Sequence, residues 1–287
     1  MDEPKNKRDE ELHIKYQLTS IRQIYCRIYA RTPETRPNVA YKTRLAFPMD
    51  YDRVITFMSD IYYKNDPITI NIGLNEEKPA PSLLKLMYNK LQEGMTIIAE
   101  GEDNCIVGAA VNAGSCPWDP DKFVEFARCC ECGPTRDVIE FEAYVTRKPN
   151  LWKRYCVLKI FECSYLAVRP DFRNQGIARK LVLDSWYLAR DCGYRLFRVD
   201  CSNSTEVEYF HYRYTARIAE SFGWKRVCTI PFHTYKKDDR FVFKNIKEPH
   251  TELQVYIDQL AFCKDYCPSY KKCETITSAP RTSKKSS

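Results

Sequence analysis

Glycine is scarce, nine residues in 287, and both glycine-rich patterns of nucleotide binding are missing. Neither G-x-G-x-x-G, which would seat a dinucleotide, nor G-x-x-x-x-G-K-[ST], which would cradle a nucleoside triphosphate, occurs in the chain. No uncharged apolar run approaches the roughly 20 residues that a membrane helix requires. The first residues, MDEPKNKRDEEL, are charged where a secretory signal would be apolar. The expectation is a cytoplasmic protein with no membrane partner. Paired C-x-x-C sets are lacking too. No histidine stands at zinc-ligand spacing beside the densest cysteine groups, Cys129, Cys130 and Cys132, then Cys263, Cys267 and Cys273. No metal is expected, with a structural zinc as the lesser alternative. The fourteen cysteines are spread over a chain much longer than disulfide-dense domains and read as reduced thiols.

What is present suits a globular protein: 44% hydrophobic and 13% aromatic residues, at a length that can bury a sizeable core. The formal charge of +7 sits partly in the tail SAPRTSKKSS, where Arg281, Lys284 and Lys285 have no acid beside them. That balance suits an anionic partner, either nucleic acid or a phosphorylated cofactor. The aromatics fall at strand and helix spacing, with no base-stacking platform or groove-reading helix, so nucleic acid is not expected.

Residues 1–43 carry no strong start or stop signal and read as an N-terminal extension. From Tyr51, YDRVITFMSDIYYKNDP sets Val54, Phe57, Met58 and Ile61 at i, i+3, i+4 and i+7. This spacing predicts a helix that Asp50 caps and Pro67 restrains. A second helix is predicted from Ser82 to Gln92, with Leu83, Leu84, Met87 and Leu91 buried and Gly94 ending it. MTIIAEGEDNCIVGAAVNAG, two apolar runs about a Gly-Glu-Asp-Asn turn, reads as an antiparallel hairpin. Asp119 to Cys132 is a further helix candidate, followed by Pro134. CVLKIFECSYLAV is a long buried strand, after which Ile177, Leu181, Ser185 and Leu188 mark a helix ending near Gly193. RLFRVDC, then WKRVCTIPF and RFVFKN, read as strands around a short helix from Thr215 to Phe222. The order gives an α/β domain with a mixed sheet, spanning residues 44–262. The basic, cysteine-containing stretch 263–287 reads as a disordered tail.

The segment LAVRPDFRNQGIARKLV joins the long strand to a helix through a polar loop with one glycine. What the loop offers is a helix N-terminus whose free N–H groups, around Gln175 to Ala178, point into one small space beside Arg173, Arg179 and Lys180. Unpaired donors and aligned peptide dipoles there favour an anion, and small residues at Gly176 and Ala178 let it approach the backbone. Pyrophosphate is the natural guest.

Arg173, Asn174, Gln175, Gly176, Ile177 and Ala178, after a strand ending in apolar-x-Val, resemble the acetyl-CoA motif Arg/Gln-x-x-Gly-x-Gly/Ala of the GCN5-related N-acetyltransferases. From roughly Leu45 to Leu260 the chain is most similar to the arthropod arylalkylamine (dopamine) N-acetyltransferases. The stretches that carry this are YDRVITFMSDIYYKNDPITINIGL, NLWKRY, YTARIAESFGW and FVFKNIKEPHTELQVYI. The resemblance implies a mostly antiparallel central sheet flanked by helices. It also implies acetyl-CoA as cosubstrate, with the backbone of Leu166, Ala167 and Val168 pairing with the pantetheine arm. The loop from Arg173 through Arg179 and Lys180 would hold the pyrophosphate.

An alkylamine has a pKa near 10 and is mostly protonated at neutral pH, so a base must take a proton before the nitrogen can attack a thioester. The family's base is a glutamate just before a proline, and here that position is Asp66; the local alternative for Asp66 is a turn residue that satisfies backbone N–H groups. Ser202, after Cys201, and Thr215 match family hydroxyls that relay a proton or assist the leaving thiolate; as local features they are equally helix caps. A covalent route through Cys163 or Cys201 is less favoured than direct transfer. The inserted stretch NSTEVEYFHYR offers Glu206, Glu208, Tyr209, Phe210, His211 and Tyr212 as an acidic, aromatic rim for a cationic amine, or is an exposed loop without a role. The resulting expectation is a monomer that acetylates a small-molecule arylalkylamine. A polyamine or protein-lysine acceptor and a catalytically impaired CoA-binding protein are the alternatives.

Overall fold

The computed structural model describes residues 40–75, 78–130, 132–204, 214–244, 246 and 250–260. Most of the inserted stretch after Ser202, nearly all of the N-terminal extension and the whole tail lie outside the described residues. Strand β1 (Tyr41–Leu45) leads through a 3-10 turn, Pro48–Asp50, into α1 (Tyr51–Asn65), which gives way at Asp66 to α2 (Pro67–Ile72). Helix α3 (Pro81–Gln92) precedes the hairpin β2 (Ile97–Gly101) and β3 (Ile106–Ser115). Helices α4 (Asp119–Arg128), α5 (Gly133–Arg147) and α6 (Leu151–Tyr155) then lead to β4 (Ile160–Val168). Next come α7 (Ile177–Asp191), β5 (Leu196–Ser204), α8 (Tyr214–Ser221) and β6 (Lys225–Pro231). A two-residue pair, β7 (Lys236–Lys237) and β8 (Arg240–Phe241), and then β9 (Glu252–Gln259) complete the described elements.

Seven strands form one sheet in the order β1-β2-β3-β4-β5-β9-β6. Its neighbours are antiparallel except for β4 and β5. The parallel pair holds register over only Phe161, Glu162 and Cys163, opposite Phe197, Arg198 and Val199. Beyond that point the two strands part, while β4 stays paired with β3 as far as Val168. The backbone of Ser164 to Val168 on its β5 side therefore borders a gap in the middle of the sheet.

A bulge in β4 sharpens this opening. Val111 lies opposite Tyr165 and Asn112 opposite Cys163, which leaves Ser164 as the extra residue. Side chains alternate across a strand with period two, so one inserted residue exchanges the faces. Phe161 and Cys163 pack with α7, but past the bulge Leu166 and Val168 take that side. Tyr165 and Ala167 instead turn toward α1 and α3. The core is correspondingly layered: Leu181, Val182 and Leu188 of α7 fill one face, and Val54, Met58, Met87 and Leu91 of α1 and α3 the other.

Several expectations need correction. Asp50 precedes α1 but its carboxylate does not cap it; Arg44 binds it at 2.6 and 2.9 Å, and Arg53 at 2.9 Å. Two guanidinium groups hold the carboxylate instead of the helix amides, because these bonds carry opposite full charges at both ends and the Arg44 pair is bidentate. Leu84 is only partly buried, and Leu86 joins Leu83, Met87 and Leu91 in the core. The helix from Asp119 stops at Arg128, and Pro134 starts rather than follows a helix: it stands in the first turn of the fifteen-residue α5, where its missing N–H has no partner to lose. The strand expected from Cys156 begins at Ile160. Two strands were not anticipated: β1 starts within the residues assigned to the extension, and β9 lies between β5 and β6. RFVFKN contributes only Arg240 and Phe241, to the small β7–β8 pair.

Candidate active site

The gap between β4 and β5 opens into a cleft of about 650 Å³. Leu166, Ala167 and Val168 line one side of it, and Arg173, Asn174, Gly176, Ile177, Ala178 and Arg179 form its base. Asp66, Ser202 and Thr215 face the same space. Of the sequence-predicted residues, Gln175 and Lys180 are not among the cleft walls.

Gly176 stands just before α7 with φ +79°, a left-handed conformation that a side chain would strain. No atom lies within 4 Å of where its Cβ would be, so the backbone here is approachable. The Lys180 N–H donates to the Gly176 carbonyl at 2.9 Å, which leaves the first-turn amides of Ile177, Ala178 and Arg179 as the donors at this helix start. The end of α7 is seated close to the sheet by Gly108 of β3, where a Cβ would sit 3.0 Å from both Ile177 and Leu181 side chains. The exposed Arg173 donates through Nε to the Val168 carbonyl at 3.2 Å. Arg179 lies over the Phe222 ring at 4.5 Å. These are donors and cations around an open backbone, which fits a pyrophosphate. Lys180 is placed differently: its ammonium meets Asp184 at 2.6 Å, and Asp184 also accepts from Thr43 at 2.8 Å.

Asp66 joins α1 to α2 and is 6% exposed. One carboxylate oxygen caps α2 by accepting the Thr69 N–H at 3.1 Å; the other accepts the Ser202 hydroxyl at 3.3 Å. The local reading, a backbone-satisfying turn residue, thus accounts for one oxygen only. Burial pushes the Asp66 carboxyl up to about 6, against the opposing pull of the Thr69 and Ser202 hydrogen bonds, the Ile68 amide and the Tyr62 hydroxyl.

Behind Asp66 lies a smaller chamber of about 80 Å³. It shares Tyr62, Asp66, Ser164, Asp200 and Ser202 with the cleft and is otherwise walled by Tyr63, Tyr165, Phe141, Glu142 and Glu162 among others. Tyr62 packs on Tyr165 with ring centroids 5.2 Å apart. Lys90 reaches in from α3, bound to Glu142 and to the bulged Ser164 at 3.0 Å each. Arg198 is fully buried on β5 and grips Asp200 at 2.6 and 2.8 Å.

Ser164, Asp200, Tyr62 and His250 belong to this site and were not singled out from the sequence. Ser164 depends on a bulge that no local pattern announces, and Asp200 on the splay of two strands. His250 borders the cleft, and burial lowers its pKa, which favours the neutral imidazole. It falls in the stretch quoted for the family resemblance, the signal that pointed to it. Among the described residues no cluster of three or more His, Cys, Asp or Glu forms a metal site, and no helix is long and apolar enough to cross a membrane.

No family model matches the sequence. Solved structures do resemble it. A mosquito arylalkylamine N-acetyltransferase like 5b superposes with a TM-score of 0.70 at 19% identity, covering 77% of this chain and 100% of its own. The Drosophila melanogaster polyamine N-acetyltransferase, which forms N-acetylagmatine, gives 0.68 at 20% identity over 77% and 100%. Arylalkylamine N-acetyltransferase 2 from Aedes aegypti gives 0.68 at 23% over 77% and 99%. The splayed parallel pair, the bulged strand before it and the helix start beneath them are thus set in a sheet that has the fold of the GCN5-related N-acetyltransferases.

Proposed function

We propose that the chain is an acetyl-CoA-dependent N-acetyltransferase acting on a small primary amine. One observation carries this reading: Asp66, buried at the wall common to the cleft and the inner chamber, with its carboxyl pushed up to about 6. A base in that range is ionised at neutral pH and can accept the amine proton in the transition state, as the attacking nitrogen loses electron density and the proton becomes more acidic. Acetyl-CoA would supply an activated acyl carbonyl in the cleft. Arg173, Arg179 and the first-turn amides of α7 are suited to hold its pyrophosphate, and the side of Leu166 to Val168 that no strand covers, where Arg173 already meets the Val168 carbonyl, to hold its pantetheine amides. Asp66 takes the amine proton directly or through water, Ser202 orients the carboxylate from β5, and Thr215 brings a second hydroxyl to the cleft.

Direct transfer is favoured over a thiol intermediate. Burial pushes the Cys163 thiol up to about 12 and Cys201 well above its ordinary value, so neither supplies thiolate at neutral pH. For the acceptor, Tyr62, Tyr63, Tyr165 and Phe141 around the chamber support an arylalkylamine. A second reading, a polyamine, is favoured by the carboxylates in the same wall. Thiol release from acetyl-CoA across a panel of aryl and aliphatic amines tests the proposal. CoA binding without release for any amine would sink it.

A further inference from the structure

Resting on the N-acetyltransferase reading, we infer that Ser164 is a further catalytic residue: its hydroxyl donates to the acyl carbonyl oxygen as negative charge gathers there, with Lys90 as the positioning residue behind it. Ser164 is the extra residue of the β4 bulge and borders both the cleft and the inner chamber. The cleft reaches inward to Cys163 and Val199, the last residues that β4 and β5 hold in register. Ser164 follows at once. A pantetheine arm laid along Val168 to Leu166, from a pyrophosphate at Gly176, brings its thioester to this end of the cleft.

The hydroxyl is only half committed. Its oxygen accepts from the Lys90 ammonium at 3.0 Å, while among the described residues its proton is given to no acceptor. Lys90 is 9% exposed and is not among the walls of either cavity, so Ser164 is the group that presents its charge there. Burial alone would drive off the Lys90 proton, but Glu142, 3.0 Å away, and Glu162 hold its pKa above the ordinary lysine value. A hydroxyl backed by a cation is a poor partner for an incoming ammonium. It is a polarised donor to an oxygen that is gaining negative charge.

The walls make such a donor useful. Asp66 and Asp200 border both cavities and Glu162 borders the chamber, so an oxygen gaining negative charge among them is repelled. A fixed donor with an ammonium behind it offsets that repulsion without having to reorganise during the reaction. As the amine nitrogen bonds to the acyl carbon and its proton passes to Asp66, the carbonyl π pair moves onto oxygen. The pair returns when the C–S bond breaks, the bonding electrons leave on sulfur, and the thiolate takes a proton from water. Ser164 keeps its own proton throughout, which separates its role from those of Asp66, Ser202 and Thr215.

Ser164→Ala should lower kcat about 10²- to 10³-fold, with the KM for acetyl-CoA and for the amine within about twofold of wild type. Lys90→Met should lower kcat in the wild-type background and add nothing in the Ser164→Ala background. A loss that adds in both backgrounds would show that Lys90 acts on the fold, and would overturn its role through Ser164. The infrared carbonyl stretch of acetyl-CoA isotope-labelled at the carbonyl, bound without amine, needs no turnover. It should lie lower in wild type and shift toward the value of the free thioester in Ser164→Ala. A wild-type kcat or an unmoved stretch in Ser164→Ala overturns the proposal and leaves the acetyltransferase reading intact. Failure of the wild-type protein to bind acetyl-CoA, or to release thiol with any amine, defeats that reading and this inference with it.

Discussion

Replacing Asp66 by asparagine should make the protein more stable and less active at the same time. Asparagine keeps the shape and still accepts the Thr69 N–H, so the cap of α2 survives. What disappears is a buried charge. The folded-state pKa lies above its ordinary value, 3.8 raised to about 6, with burial as the main cause. The folded chain therefore holds this proton more tightly than the unfolded one. Asp66 is neutral in both states below about pH 3, and its burial then carries no charge penalty. As pH rises from there through about 6 the unfolded chain releases the proton first, and wild-type stability falls by up to about 3 kcal/mol. Asp66→Asn does not titrate, so at pH 8 it should melt several degrees higher than wild type, at about 2 to 4 °C per kcal/mol for a domain of this size. At pH 4 the two curves should nearly coincide.

Activity should move the other way. Losing a general base costs about 10²- to 10⁴-fold in turnover, and the rising limb of kcat/KM near pH 6 should vanish with it. Melting temperatures from pH 4 to 8 and the pH–rate profile of both proteins check this. An Asp66→Asn protein that is destabilised at pH 8, or that keeps the limb near pH 6, would refute the assignment of a raised carboxyl to catalysis.

The remaining predictions concern the loop and its seat. Arg173→Ala and Arg179→Ala should each raise the KM for acetyl-CoA about tenfold, with the effect shrinking as salt is added, because each removes an exposed cation from the cleft base. Lys180→Met should leave that KM within about twofold but lower stability by about 1 to 3 kcal/mol, since it strips the ammonium from the buried Asp184; a KM shift as large as that of Arg173→Ala would show that Lys180 leaves Asp184 to serve the cleft. Gly108→Ala should cost about 1 to 3 kcal/mol by pushing against Ile177 and Leu181, read as a lower denaturant midpoint. Normal stability there would mean α7 is not seated through this contact.

Local patterns and the family resemblance made much of this site readable from the sequence, and its inner half was hidden for a physical reason. Periodicity located α1, α3 and α7 because each buries one stripe of apolar residues against the sheet. The strand-to-helix turn at Gly176 was legible because a positive φ and an open helix start depend on a few adjacent residues. β1 and β9 were not. β9 carries Leu253, Val255 and Tyr256 into cores on both sides of the sheet, with Gln254 buried beside them, so it lacks the alternation that marks a half-exposed strand. Pro134 misled because the same residue both ends helices and begins them.

The inner chamber depends on relations between distant segments. Glu162 sits in a run that reads as buried strand, where a lone acid suggests only a flaw in the pattern. Its meaning comes from the brevity of the β4–β5 register and from the bulge at Ser164, which turns Tyr165 to the same side as Glu162. The bulge and the splay are one device. The splay parts β4 from β5 and opens the cleft at the centre of the sheet, and the bulge turns Tyr165 toward the inner chamber. Asp66 stands where the two spaces meet. On the proposed acetyltransferase reading the acceptor can change while the cofactor's seat is kept, because Gly176 borders the cleft alone and Glu142, Glu162 and Tyr165 border the inner chamber alone.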